Sequence, residues 1–185
     1  MLNVKDYTEK TVQTALLTGL IFLATVIIRV PVPFTQGYVH LGDAVIFMAV
    51  IVLGCRRGAL AAALASALAD IIGGFAMWAP WSFAIKGGMA IVAGLVIAGL
   101  AKTKAGALNG ICTEITGFLL GGIFMTGGYF VAEWFTYGSA QTAAIEIPWN
   151  IAQMGVGTVI AVILSGSLAG TPVGKLFKYK FRPAK

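Results

Sequence analysis

The feature that most constrains this chain is a series of apolar runs long enough to cross a membrane. A transmembrane helix needs roughly 20 mostly apolar residues, within a range of about 17 to 25. Four segments meet this requirement: 11–30, 81–100, 111–135 and 148–168. Because 58% of the residues are apolar and only 11% are charged, a soluble domain of this size could not bury the hydrophobic surface. We therefore predict an all-α integral membrane protein.

Two further apolar segments, 41–54 and 58–75, are shorter and flank a basic turn at Arg56 and Arg57. They predict either two tilted spans or a re-entrant hairpin, and we favour two short spans, which makes six helices in all. Since the two segments come as a pair, both interpretations leave the sidedness of the other helices unchanged. We expect a single membrane domain over 1–185, with 169–185 as a basic cytoplasmic tail.

The distribution of positive charge predicts the orientation. Cytoplasmic loops of membrane proteins carry an excess of Lys and Arg, and a cytoplasmic N-terminus places eleven of the thirteen basic residues on that side. These are Lys5, Lys10, Arg56, Arg57, Lys102, Lys104, Lys175, Lys178, Lys180, Arg182 and Lys185. We therefore predict cytoplasmic termini and a multi-pass protein of the cell membrane, most simply a bacterial plasma membrane. The net charge of +6 then reflects topology and contact with anionic lipid, not nucleic-acid binding.

Charged residues also fall within the outer halves of the predicted helices, where each costs roughly 2.5 to 3.5 kcal/mol to insert. Lys86 and Glu133 lie deepest, so we favour contact with a ligand or with a specific partner for both. For Arg29, Asp43 and Asp70 we favour structural ion pairs, in which Lys86 is an alternative participant.

Other polar residues follow in the last outer loop and the sixth helix. Glu146 is interpreted either as a pocket group or as a solvated loop charge. Asn150 and Gln153 share a helix face because they are three residues apart, so both can point into one pocket. Hydrogen bonding between helices is the alternative for these two amides.

Aromatic residues are concentrated at the same side. All four tryptophans lie at the predicted outer boundary, whereas a general aromatic belt would place some at both interfaces. The asymmetry suggests that some of them stack on a flat heteroaromatic ligand. The candidates for the ligand site are His40, Trp78, Trp81, Lys86, Tyr129, Glu133, Trp134, Asn150 and Gln153.

The sequence lacks the catalytic and nucleotide-binding motifs that we considered. His40 is the only histidine, so no zinc-protease motif or Ser-His-Asp arrangement exists, and we expect no metal and no cofactor. The segment 170–176 has one residue too few between its glycines and Leu176 where a phosphate loop needs Ser or Thr. A transporter built on this chain would need its energy from elsewhere. A self-sufficient proton-coupled transporter with Glu114 or Glu133 as the relay remains an alternative.

Three segments resemble one transporter family. They are Tyr38-Val-His-Leu-Gly-Asp-Ala-Val-Ile-Phe47, Ser66-Ala-Leu-Ala-Asp-Ile-Ile-Gly-Gly-Phe75 and Ile85-Lys-Gly-Gly-Met89. They resemble the substrate-binding S components of energy-coupling factor (ECF) vitamin transporters, especially the group named after riboflavin uptake, which includes members assigned to hydroxymethylpyrimidine or pyridoxine.

The resemblance implies a six-helix protein that captures a vitamin from outside and is not itself an enzyme. Its implied partners are a transmembrane coupling protein (T component) and two cytoplasmic ATPases. Small residues on the first helix form the docking face for the coupling protein in this family, which implies that role for Ala15 and Gly19. The first outer loop acts as a lid, which implies that Gly37, Tyr38 and Val39 cover the pocket.

The balance of charge gives an expectation for the ligand. Two basic and four acidic groups surround the predicted pocket, which argues against a polyanion such as folate. A neutral or weakly basic heteroaromatic ring fits better, because carboxylates, amides and an ammonium group can read its hydroxyls and ring nitrogens. We expect hydroxymethylpyrimidine or pyridoxine, with riboflavin as the alternative.

Overall fold

The computed structural model describes residues 4–33, 37–103 and 109–179, apart from the side chain of Lys5. Over these residues the chain is a helical bundle with one small hairpin of two strands. Its elements are α1 (Val4–Ile27), β1 (Arg29–Pro31), β2 (Tyr38–His40), α2 (Gly42–Leu53), α3 (Cys55–Ile72), α4 (Ala79–Leu100), α5 (Gly110–Tyr137), α6 (Ala140–Ala144) and α7 (Ile147–Ala169), with 3-10 turns at Ala76–Trp78 and Pro172–Leu176.

Four stretches in the described part of the chain are long and apolar enough to cross a membrane: Asp6–Ile27, Ala76–Leu100, Gly110–Tyr137 and Ala140–Ala169. The other two of the six long helices are α2, with only 12 residues, and α3, whose 18 residues include Arg56 and Arg57. They are the two segments for which the sequence predicts short spans. The six predicted helices are therefore present, and their ends differ by a few residues.

The largest of these differences is at the start of α1. This helix begins at Val4 and not at residue 11, because the polar residues before the apolar run have good helix propensity and simply extend it. In contrast, α1 ends at Ile27, and Arg29 already belongs to β1.

The outer surface of the bundle carries many large apolar side chains. Large exposed side chains follow α1, for example Leu16 at 64% and Ile27 at 71% exposure, and similar residues cover α5 and α7. Contiguous apolar surface of this extent is typical of contact with lipid. Polar side chains such as Lys86, Glu133 and Gln153 are buried inside, so the bundle encloses a set of polar groups.

Close contact between helices depends on small residues. A Cβ atom at Gly94 of α4 would lie 2.7 Å from the Cα of Cys55 in α3, and one at Gly121 of α5 would lie 2.8 Å from the carbonyl oxygen of Met89 in α4. Real Cβ atoms do not approach backbone atoms this closely, so only glycine permits the observed spacing. Small residues at these positions therefore allow the helices to pack closely.

The two ends of the bundle are closed differently. At the end that we call the hairpin end, strands β1 and β2 pair antiparallel, with Arg29 opposite His40. At the opposite end, which we call the tail end, Phe177 is buried, the backbone N–H of Lys178 donates to the carbonyl of Ile51 at 2.8 Å, and the Tyr179 hydroxyl donates to the carbonyl of Gly94 at 3.1 Å. The rest of the predicted basic tail, 180–185, lies outside the described residues.

The shortness of α2 creates the space for a site. Twelve residues at 1.5 Å each span about 18 Å, whereas the hydrocarbon core of a bilayer is about 30 Å thick. Helix α2 therefore does not fill the bundle along its whole length, and β2 leads into it at the hairpin end. The longer helices continue beyond the start of α2 and form the walls of a cavity there.

Candidate functional site

A cavity lies at the hairpin end, between the hairpin and the helices that surround the start of α2. Its empty space, including the open mouth, is about 490 Å³. The centre of a water molecule can move through only about 40 Å³ of it, so the enclosed part is small. The lining residues are Thr25, Gly37, Tyr38, His40, Ser66, Asp70, Trp78, Ser82, Lys86, Tyr129, Glu133, Glu146, Asn150 and Gln153.

The floor of the cavity is a buried ion pair. The Nζ atom of Lys86 on α4 lies 2.6 Å from Oδ1 of Asp43 on α2, and each side chain is 1% exposed. Lys86 Nζ also lies 2.9 Å from the Met125 sulfur and 5.4 Å from the centre of the Tyr129 ring. A charge buried this deeply needs a partner, and the pair supplies one to each residue.

Gln153 on α7 joins this pair to the hairpin. Its Nε2 donates to Oδ2 of Asp43 at 2.7 Å, and its Oε1 accepts from the backbone N–H of His40 at 2.7 Å. The amide thus satisfies the second oxygen of Asp43 and anchors the end of β2. The sequence left two alternatives for Gln153, a pocket group or a hydrogen-bonding group between helices. The structure shows Gln153 making hydrogen bonds between α2, β2 and α7 at the edge of the cavity.

His40 is held as a neutral imidazole. Its Nδ1 accepts from the backbone N–H of Gly42 at 3.0 Å, which places the ring proton on Nε2. Burial and, to a smaller extent, the positive charge of Lys86 together lower the pKa of His40 to about 3. His40 therefore faces the cavity without a charge at neutral pH.

The hairpin is fastened to α3 by Tyr38. Its hydroxyl donates to Oδ1 of Asp70 at 2.6 Å, and its ring packs 4.9 Å from the ring of Phe75, centre to centre. The guanidinium of Arg29 lies over the Tyr38 ring at 4.7 Å and donates to the carbonyl of Ala69 at 3.0 Å. Burial and, to a smaller extent, the hydrogen bond to Asp70 raise the pKa of Tyr38. The Tyr38 hydroxyl therefore stays protonated and can serve as the donor in this bond.

The opposite wall carries two carboxyl groups in contact. Glu133 near the end of α5 is 2% exposed, and Glu146 just before α7 is 5% exposed. Their side chains lie within hydrogen-bonding reach of each other. Glu146 also packs against the backbone of Gly37, where a Cβ atom would collide with its carboxyl group, so any larger residue at position 37 would displace Glu146.

Several buried polar atoms around the cavity have no hydrogen-bond partner among the described residues. Of seven such side-chain atoms in this part of the chain, six belong to residues that line the cavity. They are Thr25 Oγ1, Ser66 Oγ, Asp70 Oδ2, Trp78 Nε1, Glu133 Oε2 and Glu146 Oε1. Five of the six are oxygens and one is an indole N–H, so the cavity offers mainly hydrogen-bond acceptors, together with two hydroxyls that can also donate.

The structure brings together most of the residues that the sequence singles out. His40, Trp78, Lys86, Tyr129, Glu133, Asn150 and Gln153 line the cavity, as do the predicted lid residues Gly37 and Tyr38. Trp81 and Trp134 do not; they are 37% and 51% exposed on the outer surface of α4 and α5. Val39 is also absent from the lining, because neighbouring strand residues point to opposite faces. Which residues touch a ligand stays a prediction.

Sequence reasoning did not single out Thr25, Ser66 and Ser82. For Ser82 a signal was available, because it lies four residues before Lys86 and so shares its helix face; its hydroxyl lies 3.0 Å from that of Tyr129. Ser66 is placed in the same way relative to Asp70. Thr25 carries no comparable signal, because α1 otherwise turns mostly apolar side chains outward.

Two other predictions concern positions away from the cavity. Ala15 and Gly19 lie on the exposed face of α1, and a Cβ atom at Gly19 would meet nothing within 4 Å. Glu114 is buried near the tail end and accepts a hydrogen bond from the Ser165 hydroxyl at 2.8 Å. Among the described residues, no group of three or more His, Cys, Asp or Glu side chains is arranged to hold a metal ion.

Comparison with known proteins relates this chain to one class of transporter. Residues 5–170 match the family model for the S component of ECF-type riboflavin transporters. A relative in Lactococcus lactis subsp. cremoris, named thiamine precursor transporter HmpT, is 32% identical over 167 residues, which is 89% of this chain and 90% of the relative. A Pyrococcus woesei protein described as an uncharacterized protein in the gap 3' region is 30% identical over 161 residues, or 87% of this chain and 96% of its own length.

A solved structure has the same fold. It is described as the structure and mechanism of the S component of a bacterial ECF transporter, and it superimposes with a TM-score of 0.67 at 21% sequence identity. The match covers 88% of this chain and 96% of the other. At this identity the likeness concerns the arrangement of the helices.

Proposed function

Because the chain belongs to the family of ECF-type riboflavin transporter S components, a family of substrate-binding membrane subunits, we propose that it captures hydroxymethylpyrimidine or a closely related single-ring vitamin precursor. The observation that carries this proposal is the small, acceptor-rich cavity. Once Lys86 and Asp43 neutralise each other, three carboxyl groups remain around it: Asp70, Glu133 and Glu146. Such a site favours a neutral or weakly basic ligand with hydrogen-bond donors.

The name of the Lactococcus relative, a thiamine precursor transporter, supports the same ligand class, since one of the two rings of thiamine is a pyrimidine. Pyridoxine is a similar single ring and is the first competitor. Riboflavin is the second candidate, because the matching family model carries its name. Its three fused rings and ribityl chain need more room than a single pyrimidine ring, so the small enclosed part of the cavity favours the smaller ligand.

We propose native mass spectrometry of the detergent-purified protein to identify a co-purifying ligand, followed by titration of the three vitamins against tryptophan fluorescence. Trp78 lines the cavity, whereas Trp134 is half exposed outside it. Quenching by the bound ligand should therefore disappear in Trp78→Phe and persist in Trp134→Phe. If no vitamin binds, or if riboflavin binds and hydroxymethylpyrimidine does not, the proposed ligand is wrong.

Orientation is part of the proposal. The positive-inside argument places the hairpin end outside and the tail end in the cytoplasm. Cys112, exposed at the tail end, should react with a membrane-impermeant thiol reagent only after the cells are permeabilised. A cysteine introduced as Gln141→Cys, on the exposed side of α6 in a chain with Cys55 and Cys112 replaced by Ala, should react in intact cells. The reverse pattern would overturn the orientation.

Coupling to an energising module follows from the family but involves a separate surface. We propose that the exposed small residues Ala15 and Gly19 on α1 contact the transmembrane coupling protein, which works with two ATPases. Gly19→Leu should then abolish uptake in cells while leaving vitamin binding by the purified protein unchanged. Gly166→Leu is the matched control, because Gly166 is also exposed and a Cβ atom there also meets nothing within 4 Å.

The proton-coupled alternative predicts a different result. A self-sufficient transporter would accumulate its substrate in vesicles that contain this chain alone, driven by a proton gradient. An S component would bind the vitamin there without accumulating it. Accumulation that is lost in Glu114→Gln would favour the alternative.

A further inference from the structure

The carboxyl groups of Glu133 and Glu146 on the wall of the cavity suggest which part of the ligand the site recognises. Glu133 lies on α5 and Glu146 lies in the turn just before α7, yet their side chains are in contact and almost completely buried. One oxygen of each, Glu133 Oε2 and Glu146 Oε1, has no partner among the described residues. Both residues line the cavity, so the unpartnered oxygens are available to a molecule inside it.

Two buried carboxyl groups in contact do not both carry a full charge, because the repulsion would be large in a medium of low dielectric constant. One proton held between the touching oxygens resolves the conflict. The remaining two oxygens, one on each side chain, are then both hydrogen-bond acceptors, and the pair keeps a single negative charge.

We propose that this carboxyl pair binds the exocyclic amino group of an aminopyrimidine, with one N–H donated to Glu133 and the other to Glu146. The inference rests on the proposed function, since it names the part of the ligand that distinguishes hydroxymethylpyrimidine from its competitors. A primary amino group on an aromatic ring has two N–H donors in one plane, which matches two neighbouring acceptors. Pyridoxine and riboflavin carry no such amino group.

The rest of the cavity suits the remainder of such a ligand. The face of the ring can pack against aromatic side chains such as Trp78 and Tyr129. The indole N–H of Trp78 has no acceptor among the described residues, so it can donate to the hydroxymethyl oxygen. Lys86 and Asp43 are already paired, so they shape the floor without requiring a charged ligand.

The experiment compares hydroxymethylpyrimidine with its deamino analogue, in which hydrogen replaces the amino group, by isothermal titration of the purified protein. The wild type should bind the deamino analogue about a hundredfold more weakly, because two buried carboxyl oxygens lose their partners. In Glu133→Met the affinity for hydroxymethylpyrimidine should fall, and the difference between the two ligands should shrink to less than about threefold. Glu146→Met should do the same and serves as the second variant if the first does not fold.

Glu114→Met is the matched control, because Glu114 is an equally buried carboxyl that lies outside the cavity. It should retain the full preference for the amino ligand. Equal affinity of the wild type for the two pyrimidines would overturn this inference and leave the proposed function standing. Failure of the wild type to bind any pyrimidine would overturn the proposed function and this inference with it. A preference that survives in both Glu133→Met and Glu146→Met would assign the amino group to other residues.

Discussion

The buried pair of Lys86 and Asp43 makes the sharpest prediction about stability. Among the described residues, Lys86→Met leaves the Asp43 carboxyl with the Gln153 amide as its one side-chain hydrogen-bond partner. Asp43→Asn leaves the Lys86 ammonium with the Met125 sulfur and the face of Tyr129. Each single change therefore leaves one buried charge without its counter-charge, whereas the double change removes both charges at once.

The expected magnitude follows from the burial of the pair, since both side chains are 1% exposed. Removing one partner of a buried ion pair costs about 3–5 kcal/mol, whereas replacing the whole pair with neutral groups is often close to neutral. On the scale of soluble domains of similar length, this cost lowers the melting temperature by roughly 6–20 °C. The double variant Asp43→Asn/Lys86→Met should recover most of the loss.

The assay is thermal unfolding of the purified ligand-free proteins in one detergent, followed by tryptophan fluorescence. Lys102→Met, which removes an exposed cation at the tail end, is the control and should melt within about 2 °C of the wild type, as expected of surface changes. If the two single losses simply add in the double variant, the side chains do not stabilise each other. Single variants that melt like the wild type would refute the argument that this charge pair is deeply buried.

Three further predictions concern packing, titration and the hairpin. Gly121→Ala should lower the melting temperature by several degrees because its Cβ meets the backbone of α4, whereas Gly127→Ala, where a Cβ meets nothing within 4 Å, should be neutral or stabilising in the same melting assay. Because burial lowers the pKa of His40 from 6.5 to about 3, the unfolded chain takes up a proton there before the folded protein does. Stability should therefore fall as pH decreases from 6.5 towards 3, and His40→Asn, compared with the wild type by melting across that range, should lose this part of the dependence. Tyr38→Phe keeps the ring contacts but removes the 2.6 Å bond to Asp70, so stopped-flow measurements should show the vitamin dissociating about tenfold faster; an unchanged rate would mean that this bond does not hold the hairpin closed.

The sequence allowed the helices to be predicted because hydropathy and length alone identify membrane spans. It could not predict the hairpin. Each strand has three residues, and β1 ends in Pro31. Neither strand is long enough to show an alternating pattern. Pairing of Arg29 with His40 depends instead on where α1 ends and α2 begins.

Prediction of the site was limited by the direction of side chains on helices. Glu133 and Trp134 are neighbours in sequence, so their side chains lie about 100° apart around α5 and only one of them can point fully into the bundle. The burial of Glu133 therefore excludes Trp134 from the cavity. Helical geometry alone could have predicted that the two residues do not both line it. Trp78 and Trp81 are a harder case, because Trp78 belongs to a 3-10 turn before α4 and its direction depends on that turn.

The polar atoms around the cavity are better explained by binding than by stability. A buried polar atom without a partner costs about 1–3 kcal/mol, and natural proteins contain few of them. Here six of the seven in the described part of the chain surround a single cavity, and the seventh, Thr158 Oγ1, does not. If these groups served only to hold the helices together, they would be expected to pair with one another, as Asp43 and Gln153 do. Their concentration at the hairpin end is the pattern expected of a fold that gives up stability where a polar ligand would restore it.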